Sequence, residues 1–168
     1  MSTPQYDPSF IAPDFSAKDV ISGKTITLYE QDLSNGFVIA FICNHCPYVQ
    51  GVVKEFSSIS ERLISAGIPV FAIMSNDYSF VVEDSPGNMK KFARRHNFPF
   101  PYLIDEDQSI AQAYGAVCTP DFFAFNTDKE MQFRGRINEL ENAAMEIKEI
   151  GSTTVSRSPS QGCSVKWK

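Results

Sequence analysis

Two uninterrupted apolar runs, FVIAFIC at residues 37–43 and IPVFAIM at 68–74, constrain this chain more than any other feature. Runs of this length, rich in β-branched and aromatic residues, read as strands buried on both faces, as in a sheet covered by helices. Between them Val49, Val52, Val53, Phe56, Ile59 and Leu63 recur at helical spacing. Lys54, Glu55, Ser58, Glu61 and Arg62 fill the opposite face, which predicts an amphipathic helix ending near Gly67. Strand, helix, strand in that order requires a parallel pair joined by a crossover, so the chain is of the α/β class.

The flanks fit the same plan. Thr25, Thr27 and Tyr29 alternate with Ile26 and Leu28 after a turn at Ser22-Gly23, the pattern of a short half-exposed strand. Ser85-Pro86 offers a cap and first-turn proline for a helix through Met89, Phe92 and Ala93, which the Phe98-Pro99 and Phe100-Pro101 pairs stop. A short helix from Asp107 to Tyr114 ends at Gly115. DFFAFNTDKEMQFRGRI predicts a hairpin turning at residues 126–129, and Asn138 with Glu141 predicts a capping box for a last helix burying Leu140, Ala143, Ala144 and Ile147. Residues 1–150 are expected to form one domain. Residues 151–168 read as a Ser/Thr-rich, irregular tail docked through Val165 and Trp167. With 168 residues the domain buries a full core without disulfides.

The chemistry concentrates in CNHC, where the first buried strand meets the helix. Unpaired N–H groups and the positive end of a helix dipole favour a thiolate there. The spacing predicts that Cys43, preceding the helix, stays exposed and attacks. Cys46, inside the first turn and shielded by Pro47, then resolves the mixed disulfide. His45 either tunes the thiolate by charge and hydrogen bonding or is a solvated helix-start residue. A zinc clip wants a second close ligand pair, and Cys118, Cys163 and His96 are scattered, so no metal and no cofactor is expected. A net charge of -5 disfavours a nucleic-acid partner. The absence of a leader pattern or an 18-residue apolar run predicts a cytoplasmic protein with no membrane partner.

CNHCPYV, together with Gly162, Cys163, Lys166, Trp167 and Lys168 at the end, resembles the bacterial thioredoxin-like members of the thioredoxin-fold redoxins, the superfamily that includes the alkyl hydroperoxide reductase/thiol-specific antioxidant group. APDF at 12–15 is similar to a redoxin entry strand, and YGAVCTPDFFAFN at 114–126 to the segment bearing the cis-proline. The resemblance implies a central mixed β-sheet flanked by helices, with a redoxin-type N-terminal extension. It also implies thiol-disulfide exchange at Cys43 and Cys46, redox tuning by Asn44, His45 and Pro47, and a cis Thr119-Pro120 loop that holds substrate. Cys118 and Cys163 are accessory thiols or simply packed side chains. The implied partners are a protein or small-molecule disulfide and a thiol electron donor whose identity the resemblance leaves open.

Two features depart from thioredoxins: Ile42 stands where a tryptophan is usual, and FVIAFI carries no acid to manage the resolver's proton. A peroxiredoxin-type peroxidase is the alternative. Its Pro-x-x-x-Thr-x-x-Cys pattern fails, because Ala40 lies three before Cys43 and Cys43 three before Cys46. Arg134 or Arg136 would be the cationic partner of such a site, against a plainer reading of both as solvated. A metal-binding CxxC module is the third reading.

Overall fold

The computed structural model describes residues 6–168; the first five residues of the N-terminal reading lie outside them. The strands are β1 (Ser16–Asp19), β2 (Thr25–Thr27) and β3 (Phe37–Phe41), followed by the helices α1 (Pro47–Gln50) and α2 (Val53–Ser65). Then come β4 (Val70–Met74), α3 (Pro86–Arg95), β5 (Tyr102–Ile104), α4 (Ser109–Tyr114), β6 (Cys118–Thr119), β7 (Asp121–Phe125), β8 (Met131–Gly135), α5 (Ile137–Ile150) and β9 (Cys163–Ser164).

Seven strands form one mixed sheet in the order β2-β1-β5-β4-β3-β7-β8. The two apolar runs are its centre: β3 and β4 pair in parallel, Val38 opposite Val70, and β7 lies antiparallel on the other side of β3. Every residue of β3, β4 and β7 is buried, which the continuous apolar pattern demanded. Alternation within β3 sends Val38 and Ala40 to the face covered by α2, α3 and α5. Phe37, Ile39 and Phe41 go to the face covered by α4 and the N-terminal segment. There Tyr114 makes ring contacts with Phe10, Phe15, Phe41, Phe123 and Phe125, an aromatic layer that accounts for much of the Phe content.

Four local expectations need correction. The helix after the cysteines is two helices, because the chain departs from helical geometry at Val52 (φ -120°, ψ -7°) between α1 and α2. The pattern across the break survives, since Val53, Phe56, Ile59 and Leu63 are all buried, each contributing about 1.5–3 kcal/mol. The helix expected from Asp107 starts at Ser109, because the carboxylate of Asp105 accepts the N–H groups of Ile110 (3.1 Å) and Ala111 (2.9 Å). The capping box at Asn138 does not form; α5 begins one residue earlier, after Arg136. The tail is not irregular throughout: β9 pairs antiparallel with β6, and Val165 is buried, whereas Trp167 is 43% exposed.

Candidate active site

Cys43 lies two residues past the end of β3, after Ile42, and Cys46 is the N-cap of α1, with Pro47 in the first turn where its missing N–H costs nothing. Cys46 therefore sits at the helix terminus itself rather than within the first turn. The expected exposure of Cys43 is also overturned: both sulfurs are 0% exposed, because the cis Thr119-Pro120 loop and the tail close over them. The Thr119 hydroxyl lies 3.4 Å from Cys43 Sγ, and the Thr119 carbonyl 3.4 Å from Cys46 Sγ. Cys163 Sγ lies 2.8 Å from Cys46 Sγ.

The surroundings push the two thiols of the pair in opposite directions. Cys46 is drawn down to about 4, first by the Cys43 thiol hydrogen bond, then, against its burial, by the Cys163 thiol and the N–H groups of Val49 and Cys163. Cys43 is pushed well above the ordinary thiol range by donating to Cys46, by burial and by the Asp84 carboxylate. The surroundings thus favour ionisation of Cys46, at the helix terminus, over Cys43, the reverse of what the sequence pattern suggested.

Asp84, fully buried, is the residue the sequence did not reveal. It lies in the short 3-10 turn Val82–Asp84 before α3 and accepts from Asn44 N (2.7 Å), His45 Nδ1 (2.6 Å) and Asn76 Nδ2 (3.0 Å). A carboxylate only accepts, so the contact has His45 donating from Nδ1. His45 is half-buried and held; the solvated reading does not apply. Ligand atoms of Cys43, His45 and Asp84 lie within 4.8 Å of one another. Two ligand atoms of one tetrahedral ion with bonds near 2.0–2.1 Å stand roughly 3.3 Å apart, so the 2.6 Å His45–Asp84 contact is that of a hydrogen-bonded pair.

Asn44 acts on the loop, not on a sulfur: its amide donates to the Glu83 carbonyl (2.9 Å) and accepts from the Tyr102 hydroxyl (2.8 Å). Cys118 is buried beside the cis loop, and burial pushes its thiol up to about 12. Arg134 is not solvated. It is buried and clamps the Asp121 carboxylate at 2.7 Å while donating to the Gly115 carbonyl. Arg136 donates to the Pro159 carbonyl in the tail.

A mixed sheet that sets a CxxC at a helix start against a cis-proline loop defines a thioredoxin-like redoxin. The chain belongs to the AhpC/TSA family, whose model matches residues 9–134. Among solved structures it is similar to an uncharacterized conserved protein from Geobacillus kaustophilus, at 37% identity over 99% of this chain and 95% of that one, with a TM-score of 0.93. A hypothetical protein from Sinorhizobium meliloti 1021 is 30% identical over 99% and 97%, with a TM-score of 0.91. A secreted Mycobacterium tuberculosis disulfide oxidoreductase homologous to E. coli DsbE shares the fold at 19% identity over 79% and 95%, with a TM-score of 0.64. No curated protein matches the chain.

Proposed function

We propose that the protein is a thiol-disulfide oxidoreductase whose working pair is Cys43 and Cys46, acting in the cytoplasm on a protein or small-molecule disulfide. The observation that carries this reading is the pair of sulfurs at a helix terminus, both within 3.4 Å of the cis Thr119-Pro120 loop, whose strand-pairing edge the tail strand β9 covers. Cys43 takes the client sulfur. Its proton leaves with the client's first sulfur, which departs as a thiol, so that Cys46 stays ionised. Cys46 thiolate then attacks Cys43 Sγ, closing the Cys43–Cys46 disulfide and releasing the second client thiolate. In the reverse direction a donor thiol attacks Cys43, and Cys46 leaves. A thiol of low pKa is the better leaving group, so the low value at Cys46 suits its departure in the reverse direction. An extended client would add to the edge of β6 through main-chain hydrogen bonds.

The test uses insulin as the disulfide probe. Cys43→Ser should abolish its reduction, and Cys46→Ser should accumulate a mixed disulfide at Cys43. Undiminished exchange by Cys43→Ser sinks the assignment. Peroxide reduction is the second reading, favoured by the low value at Cys46 alone. Rapid hydrogen peroxide consumption lost in Cys46→Ser but kept in Cys43→Ser would establish it.

A further inference from the structure

Cys163 lies beyond the span that defines the family, yet it is the best-placed partner of the redox pair. Its Sγ is 2.8 Å from Cys46 Sγ, and its strand occupies the edge where a client would pair, Thr119 opposite Cys163 and Cys118 opposite Ser164. The docking is built on both sides of the thiol. Before it, Ser160 donates to Asp121 (2.6 Å), and Gly162 packs so closely that a Cβ there would collide with the Thr119 carbonyl and the Pro120 nitrogen. After it, Val165 N donates to Val117 (3.0 Å), Lys166 N to Asn76 (2.8 Å) and Lys168 N to Gln108 (3.0 Å). Among the three sulfurs Cys43 and Cys46 are fully buried, and only Cys163 reaches partial exposure.

We propose that Cys163 is a tail-borne relay thiol that takes the disulfide over from the CxxC pair, so that the electron donor acts on a Cys46–Cys163 bond rather than on the buried Cys43–Cys46 bond. The step rests on the dithiol reading above. Cys163 thiolate attacks Cys46 Sγ, the Cys46–Cys163 bond forms as the Cys43–Cys46 bond breaks, and the Cys163 proton ends on Cys43. No electrons are gained or lost; the two-electron oxidation moves to the tail. A donor thiol then attacks Cys163 Sγ and expels Cys46 thiolate, and a second donor thiol releases Cys163.

The electrostatics make the relay conditional. In the reduced protein Cys163 is pushed up to about 11 by burial and by its bond to, and charge repulsion from, the Cys46 anion, with Lys166 opposing. Oxidation of Cys46 removes both Cys46 contributions, while burial, the largest cause, still raises the thiol and Lys166 still lowers it, so the tail thiol ionises more readily once the pair carries a disulfide. Client and tail compete for one edge: the tail leaves to admit a client and returns to pass the disulfide outward.

The experiment titrates the full-length reduced protein with up to one equivalent of diamide, quenches with acid, alkylates and maps disulfides by mass spectrometry. The oxidised protein is then reduced with glutathione as the probe donor. Wild type should yield a Cys46–Cys163 peptide as a major species. Cys163→Ser should close only Cys43–Cys46 and be reduced by glutathione at least tenfold more slowly. Gly162→Ala keeps the thiol but displaces the strand, and should lose the Cys46–Cys163 species while still forming Cys43–Cys46. A wild type that forms Cys43–Cys46 alone, or equal reduction rates for wild type and Cys163→Ser, overturns the relay and leaves the dithiol reading standing. Failure of every variant to form Cys43–Cys46 overturns the dithiol reading itself.

Discussion

On the proposed dithiol reading, the lowered Cys46 thiol sets how the redox potential depends on pH. Where Cys46 is ionised and Cys43 protonated, reduction of the Cys43–Cys46 disulfide consumes two electrons and one proton. A dithiol that takes up two protons changes by about 59 mV per pH unit, and one that takes up a single proton by about 30 mV. Each pH unit above the Cys46 value therefore makes the centre about 30 mV more oxidising than the same pair with both thiols protonated. Glutathione redox buffers at pH 5, 6, 7 and 8, with acid quenching and mass spectrometry, read the midpoint directly. Cys163→Ser is the background, so that a single disulfide can form and a hydroxyl still donates toward Cys46. A slope near 59 mV per unit across that range would show both sulfurs protonated and refute the assignment of the anion to Cys46.

Three further outcomes are expected. Because the folded pKa of Cys46 lies below its unfolded value, its contribution to the stability of the reduced protein is full above about pH 9 and lost as pH falls through about 4. Urea melts of the reduced protein should therefore show Cys46→Ser costing progressively less from pH 8 to pH 4, and a constant difference contradicts this. Asp84→Asn, in a Cys46→Ser background, removes a charge within 4.8 Å of Cys43, worth about 3.5 kcal/mol at that separation and an effective dielectric of 20, or about 2.5 pKa units. The midpoint of Cys43 alkylation against pH should fall, and no movement would remove Asp84 from the control of that thiol. Arg134→Met leaves the Asp121 carboxylate buried and unpaired, at a cost of about 3–5 kcal/mol, which is roughly 10 °C in Tm. Adding Asp121→Leu should recover much of that loss, and an unchanged melting temperature in the single variant would show the pair to be dispensable.

The central strands, the crossover between them and the position of CNHC at a strand-to-helix junction were readable along the chain. Each rests on residues within one window: the continuous apolar runs, the helical spacing from Val49 to Leu63, and the Ser85-Pro86 start confirmed by the Ser85 hydroxyl at Asn88 N. Local hydrophobic period and cap chemistry decide such elements, and they act over a few residues. Where local signals competed, the reading slipped. Asp105 outbid Asp107 for the start of α4, and Arg136 displaced Asn138 as the cap of α5.

The chemistry of the sulfurs was settled by contacts between distant segments, which carry no periodic signature. Asp84, a buried acid near Cys43, lies 41 positions after it in the chain, and nothing in VVEDSP marks that carboxylate as fully buried against His45. Cys163, 117 positions from Cys46, meets it at 2.8 Å because β9 pairs with β6. The sequence by its own periodicity determined that a buried parallel sheet would present two cysteines at a helix start. Only the folded chain decided which of them holds the charge, because a thiol's ionisation depends on the donors and charges packed around it, and those came from α1, from the turn before α3 and from the tail.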